Sequence, residues 1–162
     1  MLKSNQMKHF IFFIITALLL SGVIILPFTG GVLHFVTFLT TANALLVVTL
    51  WAAGFAFTSF LFSIITKDYS WVDRSWSILP VAFVWYYAYR GSCTLPLCVV
   101  TALVTLWGAR LTLNFARKGG YSGKEDYRWN ILKVKIKNPF LWQLFNFLFI
   151  SFFQVGMFVL FT

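Results

Sequence analysis

The stretch LWGARLTLNFARKGGYSGKEDYRW, residues 106–129, places Arg110 inside an apolar run and then ends in a cluster of charges. At 3.6 residues per turn Trp107, Arg110, Asn114 and Arg117 fall at i, i+3, i+7 and i+10, a polar stripe leading down to a basic loop. Because charge is costly in hydrocarbon, this stripe is expected to face protein or water. The alternative is that Arg110 snorkels, from about 10 Å above the helix end, while Arg117 anchors the interface. The chain has only four acids, Asp68, Asp73, Glu125 and Asp126, each close in sequence to an arginine or lysine. Arginine forks and loop amides hold phosphates, and a carboxylate takes a ribose hydroxyl or orients an arginine. A local salt-bridge cluster around KEDYR is the competing reading, and it would stabilise little if exposed. A second stripe, Gln143, Asn146 and Gln154, lies on one side of the last apolar segment. It either bonds a neighbouring span or lines a wet cavity opposite the first stripe.

Other chemistries lack their residues. GGYSGK is not a phosphate-binding P-loop: its glycines are one residue too close, and Glu125 stands where Ser or Thr should follow the lysine. His9 and His34 have no partner at metal-ligand spacing, so no metal site is expected. No G-x-S-x-G nucleophile elbow occurs. Cys93 and Cys98 are too few for a disulfide framework and are expected simply to pack.

The elements that must position these residues are membrane helices. Of 162 residues 60% are hydrophobic and 10% charged, and none between Lys8 and Lys67 is Asp, Glu, Lys or Arg. A water-soluble domain would have no polar face left over that half. The net charge of +9 sits at the ends of apolar runs, not on an exposed basic face, which argues against nucleic acid. Five apolar segments follow: 10–28, 32–66, 75–89, 95–116 and 139–161. The first exceeds the ~7–15 residues of a signal-peptide core and is expected to be a retained span. The second, about 52 Å as one helix, is too short for two spans and predicts one near 42–66 with a lead-in. The third is short and carries Pro80 in its first half. Taken as spanning, it puts the amino terminus, the loop at 67–74 and the loop 117–138 on the cytosolic side, where lysine and arginine then concentrate. The expected fold is an all-α, multi-span bundle of about five transmembrane segments, with spans in 1–66 leading into a membrane domain over 67–162.

The blocks DYSWVDRSWSILP (68–80), WYYAYR (85–90), LWGARLTLNFARKGGYSGKEDYRWNILK (106–133) and NPFLWQLFNFLFISFFQ (138–154) strongly resemble the membrane family DUF1295 of the steroid 5-alpha-reductase superfamily. The resemblance covers about residues 60–162. It implies a multi-span enzyme that binds NADPH from the cytosol and delivers hydride to the carbon–carbon double bond of a steroid-like or other lipid enone. Arg110, with an aromatic three residues before it, is similar to a reductase arginine near cofactor and substrate. Here that aromatic is Trp107, without a hydroxyl, so Asp73 is the candidate acid beside Arg110, with an Asp73 and Arg74 interface pair as the structural alternative. The implied cofactor contacts are Arg110, Asn114, Arg117, Glu125, Asp126 and Arg128. Family members continue past this FxxQ-bearing helix into a half with an RHPNY-like block, so the chain is expected to be the amino-terminal part of such a reductase. A membrane partner or missing half would complete it. The rivals are a non-catalytic membrane subunit whose loop reads membrane lipid, and a prenyl-protein methyltransferase-like enzyme. The expected location is the endoplasmic reticulum membrane in a eukaryote or the inner membrane in a bacterium.

Overall fold

A computed structural model describes residues 30–122 and 125–162; the first apolar segment and Lys124 lie outside them. The described residues are helical, with no strand among them. A lead-in helix α1 (Val32–Thr41) precedes α2 (Ala44–Thr66); then come α3 (Leu79–Arg90), α4 (Leu95–Arg117), the loop helix α5 (Tyr127–Lys135) and α6 (Pro139–Phe161). Helices α2, α4 and α6 are each 23 residues of apolar sequence. At about 34 Å they are long enough for a hydrocarbon core of about 30 Å. Three of the expected spans are thus present among the described residues, and the chain is a helical membrane protein.

The helix ends are written locally. The Asn43 side chain accepts from the amides of Leu45 and Leu46, capping α2, which stops at Lys67 in the left-handed region (φ 56°). Asp126 caps α5 by accepting from the Arg128 amide. Asn138 caps α6, where Pro139 takes the first turn. Each cap satisfies amide donors that have no partner within the helix. Within α6 the residues Asn146–Phe153 wind as π-helix, a wider turn often found at functional sites.

Two antiparallel pairs make the bundle. Along α2 and α6, Ser63 meets Asn146 near one end, while Leu45 and Leu160 share a groove at the other. Along α3 and α4, Ser77 bonds Thr112 and Trp85 bonds Thr105. Val48, Ala52, Phe55, Val72, Leu79, Phe83, Val155 and Phe158 form the core between α2, α3 and α6. Helix α4 touches little besides α3, and Thr101 and Gly108 are its buried residues.

The third apolar segment does cross the bundle, but not as one helix. Helix α3 alone is about 18 Å, short of the hydrocarbon thickness. The rest of the path is a 3₁₀ turn (Asp73–Ser75) and the turn that follows it, tucked inside the protein: Ser75 is fully buried and Ser77 nearly so. Irregular backbone at such depth requires cover by protein. The far end is fixed where Arg90 and Tyr86 both donate to the Leu39 carbonyl, at 2.7 and 2.8 Å. Segment 68–74 therefore shares one end of the bundle with 117–138, and the α1–α2 and α3–α4 turns share the other.

Cys93 and Cys98 correct an expectation. They are not simple packing residues but form a disulfide in the α3–α4 turn. Residues 92 and 93, at φ 53° and 46°, bring the two Cα atoms to 5.4 Å.

Gly108 is where α4 approaches the irregular segment. A Cβ there would lie 2.6 Å from the Ser77 carbonyl oxygen and 2.5 Å from Val81 Cγ2. Alanine gains about 1 kcal/mol of helix propensity over glycine, but overpacking against backbone costs about 1–3 kcal/mol. Gly108→Ala is expected to lower the thermal midpoint in detergent, whereas Gly156→Ala, with open space around it, raises or preserves it.

Candidate functional site at the basic end

The loop 68–78 and the loop 121–135 interlock. The Tyr69 amide donates to Glu125 Oε1, and the Asp126 amide donates to Ser70 Oγ. The Tyr121 hydroxyl donates to the Arg74 carbonyl, and Lys133 reaches both Glu125 oxygens while lying 4.2 Å from the centre of the Tyr69 ring. Tyr69, Trp129, Trp142 and Ile150 close an apolar cluster beneath this web. Gln143 donates to the Tyr69 hydroxyl, tying α6 to the same loop.

Asp73 is at the centre of the junction. It does not pair with its sequence neighbour Arg74, which instead binds Asp68 at 2.6 Å. The Asp73 carboxylate accepts from the Trp129 indole at 2.7 Å and from Arg128 at 3.5 Å. Its side chain is only 8% exposed. Burial pushes this carboxyl above the usual carboxylate range, against the Trp129 hydrogen bond and the Arg128 charge, which both favour ionisation. Asp126 goes the other way, lowered chiefly by its hydrogen bond from Arg128.

A cleft of about 280 Å³ opens beside Asp73, bounded by Trp76, Ser77, Leu111, Phe115, Arg128 and Gln154. Its volume is just below the about 300–1,000 Å³ of small-molecule sites. The Trp76 indole donates to Gln154 Oε1 at 3.3 Å and packs edge-on against Phe158, fixing one wall. Half-exposed Arg128, paired with Asp126 and Asp73, stands at the edge of the cleft.

The expected site residues fall into two groups. Asp73, Glu125, Asp126 and Arg128 do come together. Glu125 and Asp126, however, are engaged by Lys133, the Tyr69 amide and Arg128, so the loop is partly the salt-bridge cluster considered as its alternative. The four residues Trp107, Arg110, Asn114 and Arg117 are exposed and face no described part of the chain. Helix α4 packs α3 through Gly108 and Thr101, which leaves the stripe on the side of α4 that no described residue covers. The two polar stripes do not face one another, for Asn146 is wholly buried and bonds Ser63 of α2. Leu111 and Phe115 line the cleft, one residue beyond Arg110 and Asn114, so the stripe flanks the cleft without lining it. Among the described residues no group of His, Cys, Asp and Glu could hold a metal ion. Trp76, Ser77 and Trp129 were not anticipated. The tryptophans and serines of DYSWVDRSWS in a membrane-bound stretch are the only hint of the first two.

These features define a helical membrane bundle whose polar loops lock over a small cleft at its basic end. The chain belongs to DUF1295, a family of proteins of unknown function, whose model matches residues 59–162. It is 43% identical over 98 residues to an uncharacterized protein of Schizosaccharomyces pombe, covering 57% of this chain and 28% of that protein. The chain therefore spans less than a third of that relative's length. No solved structure matches it.

A carboxyl whose pKa is raised by folding lends stability in full below its unfolded value and loses it as pH rises through the folded value. Asp73→Asn keeps an oxygen for the Trp129 indole and removes the buried charge. Its thermal midpoint is expected to equal or exceed that of the wild type at pH 7.5, with the difference shrinking toward pH 4. A fall of several degrees at pH 7.5 would show that the ionised carboxylate itself holds the two loops together.

Proposed function

We propose that this chain is the amino-terminal part of a membrane-embedded reductase of the steroid 5-alpha-reductase superfamily. The substrate is a steroid-like or other lipid enone, and NADPH supplies the hydride. The observation that carries the reading is Asp73, a largely buried acid whose ionisation is disfavoured, on the wall of a cleft with apolar sides and an arginine beside it. A neutral carboxyl donates a hydrogen bond to a ketone oxygen and stabilises the charge that gathers there as the double bond is reduced. Leu111, Phe115 and Trp76 would hold the apolar body.

The residues fit a phosphate-bearing cofactor at the rim. Arg128 has its guanidinium half exposed, and Arg110, Asn114 and Arg117 present donors on the neighbouring face of α4. NADPH, when bound, supplies hydride to the substrate carbon; the arginines would hold its phosphates, and Glu125 and Asp126 act by fixing Lys133 and Arg128 in place. Loss of one charge-assisted contact costs about 1.5–3 kcal/mol. In the full-length protein, Arg128→Glu or Arg110→Glu is expected to weaken NADPH binding about tenfold or more, read by nucleotide fluorescence, with the fold intact. Unchanged affinity in both would remove the assignment. The rival reading, a non-catalytic subunit, takes its support from the outward stripe of α4, which a second membrane protein could cover. It predicts a stoichiometric complex and no response of the purified protein to NADPH.

The arrangement also supports an orientation. Disulfides persist in oxidising compartments, so the Cys93–Cys98 turn would lie outside the cytosol. The cleft and the basic loop 117–138 would then face the cytosol, in keeping with the side preferred by lysine and arginine. A membrane-impermeant thiol reagent should label Cys93 and Cys98 only after reduction and only from the non-cytosolic face. Labelling from the cytosolic face of sealed vesicles would invert the map.

A further inference from the structure

The acids of this chain all lie at its basic end, where Asp68, Asp73, Glu125 and Asp126 are engaged by Arg74, Arg128 and Lys133. At the opposite end, with the α1–α2 and α3–α4 turns, Arg90 is the only Asp, Glu, Lys or Arg among the described residues. No carboxylate side chain in the sequence is therefore placed to balance it. Arg90 is the last residue of α3 and is partly exposed. Its Nη1 group donates to the Leu39 carbonyl at 2.7 Å and to the Tyr86 hydroxyl at 3.0 Å, which tethers the guanidinium. Its Nε and Nη2 groups bond no other described residue. Those two nitrogens form one side of the guanidinium fork, the side that takes two oxygens of a single phosphate.

Arg90 also lines a cavity of about 430 Å³, together with Leu97 and Val100 of α4, Ala44 at the start of α2 and Thr162 just past α6. Such a volume falls within the about 300–1,000 Å³ of small-molecule sites. Tyr86, Tyr87 and Tyr89 share the last turn of α3 with Arg90, an aromatic grouping that marks the headgroup level of a membrane. The anions at that level are lipid phosphates. We infer that this cavity binds a membrane phospholipid, with Arg90 paired to its phosphodiester and the first methylenes of one acyl chain against Leu97 and Val100. The cavity is too small for a whole phospholipid, so the rest of the chains lie in the bilayer. An arginine that merely snorkels would need neither the tether to Leu39 nor the cavity. Such a site is independent of the reductase reading and of the Asp73 cleft, which lies at the other end of the bundle.

The test uses the full-length protein in maltoside detergent, with binding of the first dioleoylphosphatidylglycerol molecule read by native mass spectrometry. Dioleoylglycerol has the same chains without the phosphate, and glycerol 3-phosphate has the phosphate without the chains. Wild-type protein is expected to bind the phospholipid about tenfold or more tightly than dioleoylglycerol, since a charge-assisted bond is at stake. Millimolar glycerol 3-phosphate should not displace it. Arg90→Gln should weaken phospholipid binding about tenfold and leave dioleoylglycerol unaffected. Val100 is half exposed, so Val100→Trp fills the cavity while keeping Arg90 and its bond to Leu39, and it should also abolish the tight binding. The thermal midpoint of each variant reports folding, and if Arg90→Gln does not fold, Val100→Trp decides. Unchanged phospholipid affinity in either folded variant overturns the site, as does equal affinity of the wild type for dioleoylglycerol. Displacement by glycerol 3-phosphate overturns the lipid assignment in favour of a soluble phosphate.

Discussion

A carboxylate drawn out of water must be met by donors, and in this protein that requirement joins the two polar loops. Asp73 is reached by the Trp129 indole and the Arg128 guanidinium, both more than fifty residues away in sequence. Around it the backbone amides of Tyr69 and Asp126 are satisfied across the same junction by Glu125 and Ser70. Each bond alone is worth about 1 kcal/mol. Together they fix the height of α5 and the start of α6, and with them the wall of the cleft. The raised pKa of Asp73 shows that the donors do not fully replace the lost water.

The irregular chain ahead of α3 is the second constraint. Membrane proteins tolerate non-helical backbone only where protein covers it or water reaches it. Here α2, α4 and α6 cover it, and Gly108 allows α4 to approach the Ser77 carbonyl. Asp73, Trp76 and Ser77 of this break line the cleft. The π-helical turns of α6 lie beside it and end at Gln154. Structural irregularity on two facing elements therefore converges on one place, in line with the way binding sites arise where regular packing is interrupted.

Much of the architecture was legible. The single span near 42–66, the last span at 139–161 and the all-helical character follow from lengths of uncharged sequence, because hydrocarbon admits little else. The bonding of Asn146 to a neighbouring span was among the readings that polar spacing allowed. The direction of the Arg110 stripe was not legible. Helical periodicity places residues on a face but does not say which face is covered, and Gly108, by packing on Ser77, decides it.

By itself the sequence determined the solvent of this protein, its helix content and the clustering of its charges at one end. Hydropathy, caps and breakers act over a few residues and need no partner. Only the tertiary structure decided which acid meets which cation: Arg74 turns to Asp68 and leaves Asp73 to Trp129 and Arg128. It also decided that Gln154 shares a cleft with Asp73, and that Cys93 and Cys98 are joined. Pairings of this kind depend on distances between segments far apart in the chain, or on the backbone twist of a single turn, and local composition specifies neither.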